Sequence, residues 1–212
     1  MSYHDSCLLM GRHLVTFGKQ VEDGLKSDIL DCLLYAQLRA DARYPHTLRG
    51  WVWLDEYQRS IASTGGRQFG RVVRNTLKIH GLRDLSRRPA FLDVAASPSL
   101  RQSLVNAFDT LMNSELAQTY FNLWGTSGRS ELFQVVPCER DANGNINILV
   151  CCLQMRTVAL RPSLYLWQML GGEMTVHYSG TAFRFEPEAY APLRSMVQDA
   201  LSREAKQEII RL

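Results

Sequence analysis

The chain has 212 residues, 46% of them hydrophobic and 21% charged, with a formal net charge of +3. This is ordinary globular composition. It is enough to bury most of the unfolded surface without disulfides or a metal, and it points to one domain over residues 1–212. The charge is too small to argue for a specific nucleic-acid partner, and no stretch approaches the roughly 20 apolar residues of a membrane span. The first positions hold an acid and no basic cluster, so no secretory leader is expected. The expected location is the cytoplasm, or export without a signal peptide.

In chain order, residues 6–21 predict a helix with Leu9, His13, Phe17 and Val21 on one stripe, interrupted by Gly24. A second helix starts at Ser27 as N-cap. Asp28 and Asp31 lie in its first turn, and Ile29, Leu30, Leu33, Leu34 and Leu38 take helical spacing. Arg39, Arg43 and Pro45 close it. A third helix over Trp51–Ala62 carries Trp51, Leu54, Tyr57 and Ile61 and stops at Gly65-Gly66. Trp51 and Trp53 cannot share one face, so one of them is expected to be exposed. Arg71–Ile79 alternates as a half-exposed strand, with Val73, Leu77 and Ile79 on one side and Arg74, Thr76 and Lys78 on the other.

Pro98–Met112 predicts a helix with Ser97 as N-cap and Pro98 in its first position. A short helix from Ser114-Glu115 to Trp124 and a loop at Gly125–Gly128 follow. The period then changes. Leu132–Cys138 reads as a strand, Asp141–Asn145 as a hairpin turn built on Asn143-Gly144, and Ile146–Thr157 as the partner strand, buried on both faces at Ile148–Leu153. Leu164–Leu170 predicts a third strand, Gly171-Gly172 a turn, and Met174–Tyr178 a fourth, continued at Ala182–Phe185. A C-terminal helix begins at Pro187 or Pro192. It buries Tyr190, Leu193, Val197, Ala200 and Leu201 and turns Glu204, Lys206 and Glu208 to water. The expected fold class is α+β: a helix-rich N-terminal half packed on a mainly antiparallel sheet, with a closing helix.

Catalytic signatures are few. Gly65–Gly70 precedes a strand, the reverse of a phosphate-binding loop, and no GxSxG elbow occurs. None of the five histidines has metal-ligand spacing, and no CxxC pair exists, so no metal site is expected. Between Arg67 and Arg88 lie seven basic residues against the single acid Asp84. Such a run suits an anionic surface such as a membrane, or a solvated face with acidic partners.

The cysteines Cys7, Cys32, Cys138, Cys151 and Cys152 are odd in number and irregular in spacing. Free buried thiols are the default. The sharper reading gives Cys151, Cys152 or Cys32 a thioester-linked acyl chain, which needs thiolate character and at least transient access. On a strand, Cys151 and Cys152 point to opposite faces.

The segment Ser27–Asp41, followed by Tyr44-Pro45 and then Trp53 and Tyr57, resembles the front half of the Evf-like bacterial virulence factor family. The glycines before the strand, between Ile61 and Val73, follow the same order. The resemblance implies a virulence or host-interaction factor with an internal hydrophobic cavity and a fatty acyl group on a buried cysteine. Cys32 stands where that family carries a small polar residue, and no motif of the family carries its acylated cysteine onto a position of this chain; Cys151 and Cys152 are candidates from their place in the most hydrophobic strand. Two alternatives stand beside it: a cysteine-dependent acyl-transfer or thioesterase-type enzyme, and a protein-interaction component of a secretion or assembly system.

Overall fold

The computed structural model describes residues 6–10, 13–44, 50–80, 83–114, 132–156, 174–201 and 209–211. Its centre is a seven-stranded, mostly antiparallel sheet in the order β3-β6-β5-β4-β2-β1-β7, and the fold is α+β. The strands are β1 (Ser6–Met10), β2 (His13–Phe17), β3 (Gly66–Ile79), β4 (Leu132–Arg140), β5 (Ile146–Arg156), β6 (Met174–Phe185) and β7 (Ile209–Arg211). Among the described residues every strand pairing is antiparallel except β2 with β4, which is parallel.

Two helical layers cover the sheet. On one face lie α1 (Asp23–Arg43) and α2 (Gly50–Ser63) with the C-terminal helices α6 (Pro187–Tyr190) and α7 (Arg194–Ala200). On the other lie α3 (Arg83–Arg87), α4 (Pro89–Leu92) and α5 (Pro98–Asn113). The strand period of two sorts the core between them. Ile146, Ile148, Val150 and Cys152 of β5 face α1 and α2, whereas Leu149, Cys151 and Leu153 face α5.

This double cover corrects the helix expected over residues 6–21, where Ser6–Met10 and His13–Phe17 are strands. All five residues of β2 are buried. A strand covered on both sides reads as a continuous apolar run, and here the i, i+4 spacing of Leu9, His13 and Phe17 imitates a helical stripe. Met10 pairs with His13, and Leu8 with Val15, so the segment is a hairpin.

The helix expected from Ser27 begins earlier. Glu22 is its N-cap and Gly24 lies in its first turn, where an added Cβ would meet nothing within 4 Å. Helix α5 keeps its expected cap: Ser97 Oγ accepts the Leu100 amide at 3.1 Å. In the β4–β5 turn only Gly144 takes a positive φ, +81°; Asn143 does not. Asp141 accepts from the Asn143 and Asn145 amides, 2.9 Å each, and from the side chains of Asn145 and Asn147.

Met174–Phe185 is one uninterrupted strand. Gly180 continues it because Val94 closes against that point: an added Cβ would lie 2.3 Å from the Val94 Cβ. The C-terminal helical stretch buries Tyr190, Val197 and Leu201, but Ala200 is exposed and Leu193 half-buried. Arg194 ties it to α1 through two bonds to Asp28, 2.9 and 2.6 Å. The expected helix to Trp124, the Gly125–Gly128 loop, the Leu164–Leu170 strand, the Gly171-Gly172 turn and residues Glu204, Lys206 and Glu208 lie outside the described residues. Among the described residues, no helix is long and apolar enough to cross a membrane.

Candidate functional site

A transverse row of polar residues crosses the largely apolar sheet face under α1 and α2, where Thr181 also accepts from Gln58 of α2. Strand register sets His13 opposite Gln134, Gln134 opposite Cys152, Cys152 opposite Ser179 and Ser179 opposite Arg74. Five consecutive strands therefore contribute one polar residue each on the same face. The next row repeats the pattern in part, with Gln154, His177 and Thr76 in register. Buried polar groups are normally hydrogen-bonded, because desolvation without a partner is costly. Here Gln134 Oε1, Gln154 Oε1 and Ser179 Oγ are buried and make no hydrogen bond, while the Gln134 side chain reaches the Cys152 thiol.

Cys152 lies at the centre of this row and is fully buried. Burial pushes its thiol up to about 12, against the pull of the adjacent Gln134 amide and the Arg74 charge. Cys151 points to the other face, as its adjacency to Cys152 requires, and joins Leu149, Leu153, Val176 and Tyr178 in the apolar core there. Its thiol is raised well above the ordinary value by burial and then by Cys152. Cys32, on α1, is committed locally: its Sγ lies 3.0 Å from Thr64 Oγ1. Burial raises it to about 12, the Thr64 hydroxyl lowering it and Asp31 adding to the rise.

Cys138, passed over in the sequence, belongs to the same layer as Cys32 and Cys152. The signal was present in the hairpin. Cys138 pairs with Ile148, and Ile148 lies four residues, two full strand periods, before Cys152. All three thiols lie near Tyr57, whose hydroxyl is raised by burial first and then by Cys32, Cys138 and Cys152.

Tyr57 is the aromatic lid of this layer. Its ring stacks on Trp53, with centroids 5.1 Å apart and planes at 10°, and approaches the His13 ring at 5.1 Å. Trp53 is locked in turn by its Nε1 donating to Asp41 Oδ1 at 2.7 Å. Trp51 is the partly exposed tryptophan of the pair, and its ring takes the Arg74 guanidinium at 5.8 Å. Arg74 also pairs with Asp55, and Arg67 with Glu186 at 3.6 Å. Part of the basic run is thus an ion-paired strand edge.

No histidine of the described residues sits against Cys152. His13 lies two strands away, roughly 10 Å in backbone spacing. His177, a diagonal neighbour, is bonded through Nδ1 to Thr76 Oγ1 at 2.9 Å.

No family model matches this sequence, and no curated protein matches it. Among solved structures the chain is similar to the Evf virulence factor, with TM-score 0.47 and 9% identity over 94% of this chain and 82% of that one. It is also similar to a delta-endotoxin, with TM-score 0.50 and 8% identity over 84% of this chain and 82% of that one, a likeness of fold.

Proposed function

We propose that this protein is a virulence-type, host-interaction factor that carries a fatty acyl chain as a thioester on Cys152. The observation that carries the reading is the pair of buried groups on either side of that thiol. Ser179 Oγ is a donor without an acceptor, and the Gln134 side chain is already turned to the thiol; both are directly cross-strand from Cys152. A thioester carbonyl at Cys152 supplies an acceptor to them. Cys151 has only apolar neighbours and one tyrosine, and Cys32 already has Thr64. Around Cys152, Val136, Val150, Leu54 and Trp53 line the same layer, and each acyl methylene buried among them contributes about 0.8 kcal/mol. The fold likeness to a delta-endotoxin agrees with a bacterial virulence-type role.

The chemistry is a thiol exchange. The Cys152 sulfur attacks the carbonyl of an acyl thioester, its S–C bond forms, the donor's C–S bond breaks, and the donor thiol leaves with the proton that Cys152 gave up. A thiol held near 12 by burial is almost wholly protonated at neutral pH, so acylation accompanies an opening of the α1–α2 layer or precedes its docking. Intact mass spectrometry of protein from a bacterial host, before and after hydroxylamine, tests the reading. It predicts a hydroxylamine-labile mass excess in the fatty-acyl range that disappears in Cys152→Ser. An unmodified mass, or an acyl group mapped to another cysteine, overturns it.

A further inference from the structure

A second polar row crosses the opposite face of the sheet, at the N-terminal end of α5. Register sets Glu139 of β4 opposite Asn147 of β5, Asn147 opposite Arg184 of β6, and Arg184 opposite Arg67 of β3. The inner end of the row is engaged. Glu139 accepts from Ser99 Oγ at 2.6 Å and from Ser97 Oγ at 3.3 Å, and the Asn147 amide donates to Asp141 Oδ2 at 3.2 Å. The outer end is not. Two arginines directly cross-strand on one face stand about 4.5–5.5 Å apart at Cβ, where like charges repel. One carboxylate answers them: Glu186 lies 3.6 Å from Arg67 Nη1, in a pair whose side chains are 73% and 37% exposed. Such a pair contributes little. Among the described residues Arg184 has no carboxylate partner, and Glu139 lies two strands away, roughly 10 Å in backbone spacing. Arg184 Nε is buried without an acceptor, although Asn147 Oδ1, cross-strand from it, is equally without a donor. The guanidinium lies instead over Phe69 of β3, its carbon 5.7 Å from the ring centroid. A guanidinium placed over a ring keeps its N–H donors, which lie in its own plane, for an acceptor.

We propose that Arg67 and Arg184 form an oxyanion site at the β3 edge of the sheet, and that its ligand is a phosphate monoester. At neutral pH such an ester is largely a dianion, so it offsets both guanidinium charges at once. Its three terminal oxygens accept from two forks, whereas a carboxylate brings one charge and two oxygens. Glu186 competes for Arg67 alone. The site lies on the face away from Cys152 and stands independently of the acyl-thioester reading.

The monoester has two sources, a soluble compound or a lipid headgroup, and the test separates them. The full chain is titrated with glycerol 3-phosphate by calorimetry, and is sedimented with phosphatidylcholine vesicles with and without phosphatidic acid, whose headgroup is the same ester. Binding of the soluble ester without vesicle capture supports the site and names a free phosphate compound. Capture that depends on phosphatidic acid supports it and names the headgroup. In either case Arg184→Gln and Arg67→Gln are each expected to weaken binding roughly tenfold. Arg67 is exposed, so Arg67→Gln serves where Arg184→Gln fails to fold. Glu186→Gln is expected to tighten binding about two- to threefold by releasing Arg67, a gain that a merely structural role would not give. Arg87→Gln, exposed on α3, is the charge control and is expected to change nothing. No binding of either probe, acetate bound as tightly as the ester, or an equal loss in Arg87→Gln overturns the proposal.

Discussion

Raising the pH tests the burial of the cysteines directly. Burial raises all five thiols, with Cys7, Cys32 and Cys152 pushed up to about 12 and Cys138 and Cys151 also raised. The ordinary value is 9.0. A group whose folded value is raised contributes its full stability below the unfolded value and loses it as pH climbs toward the folded one. The window therefore opens near pH 9. At about pH 10 each thiol kept protonated by the fold costs about 1.4 kcal/mol relative to the unfolded chain. In the chain freed of any acyl group with hydroxylamine, five such thiols cost about 7 kcal/mol, comparable with the 5–15 kcal/mol that typically holds a domain together. Tyr57 and Tyr190, raised mainly by burial, add to the loss at still higher pH. The expected result is a urea-unfolding midpoint that is flat to about pH 8.5 and collapses by about pH 10.5. Cys151→Ala removes one proton from that slope, about 1.4 kcal/mol per pH unit. A midpoint unchanged between about pH 8 and pH 10 would refute the burial of these thiols.

Three further outcomes follow from local geometry. Gly180→Ala drives a Cβ to 2.3 Å from Val94 and is expected to cost about 2 kcal/mol, lowering the melting temperature by roughly 4–8 °C; Val94→Gly in the same chain recovers part of it, and an unchanged Tm would count against the packing described. Asp141→Ala removes the acceptor of the β4–β5 turn and is expected to cost about 1–2 kcal/mol by urea unfolding. Although slight burial raises the Asp141 carboxyl, hydrogen bonds from Asn145, Asn147 and Asn143 hold it below 3.8 overall; its contribution is present above that value and fades in acid, so wild type and variant converge at low pH. In the acylation assay, Cys151→Ala and Cys32→Ser are expected to keep the labile mass excess that Cys152→Ser loses, and a loss in either would move the site.

Sequence legibility followed the range of the forces involved. Helix α5 was readable to within a residue because Ser97, Pro98 and the apolar spacing of Leu100, Leu104, Phe108 and Leu111 are local signals. The β4–β5 hairpin was readable because Asp141 to Gly144 set its turn within a few residues. Residues 6–17 were not, because what makes them strands lies far away: β2 pairs with β4, Val15 against Val136. Nothing nearby reports that partner. The site divides the same way. The opposite orientation of Cys151 and Cys152 follows from adjacency alone, but the row that singles out Cys152 needs the register of five strands, with Gln134, Ser179 and Arg74 each arriving from a different part of the chain.

The parallel seam between β2 and β4 also fixes an order of events during synthesis. Phe17 is complete long before Leu132 leaves the ribosome, and at roughly 5–20 residues per second the gap lasts on the order of ten seconds. Through that time the β1–β2 hairpin has no neighbour on its β4 side and carries apolar side chains on both faces. An unpaired strand of that kind is a template for the wrong partner. The nascent chain is therefore expected to need a chaperone most while its first hairpin waits for its fourth strand.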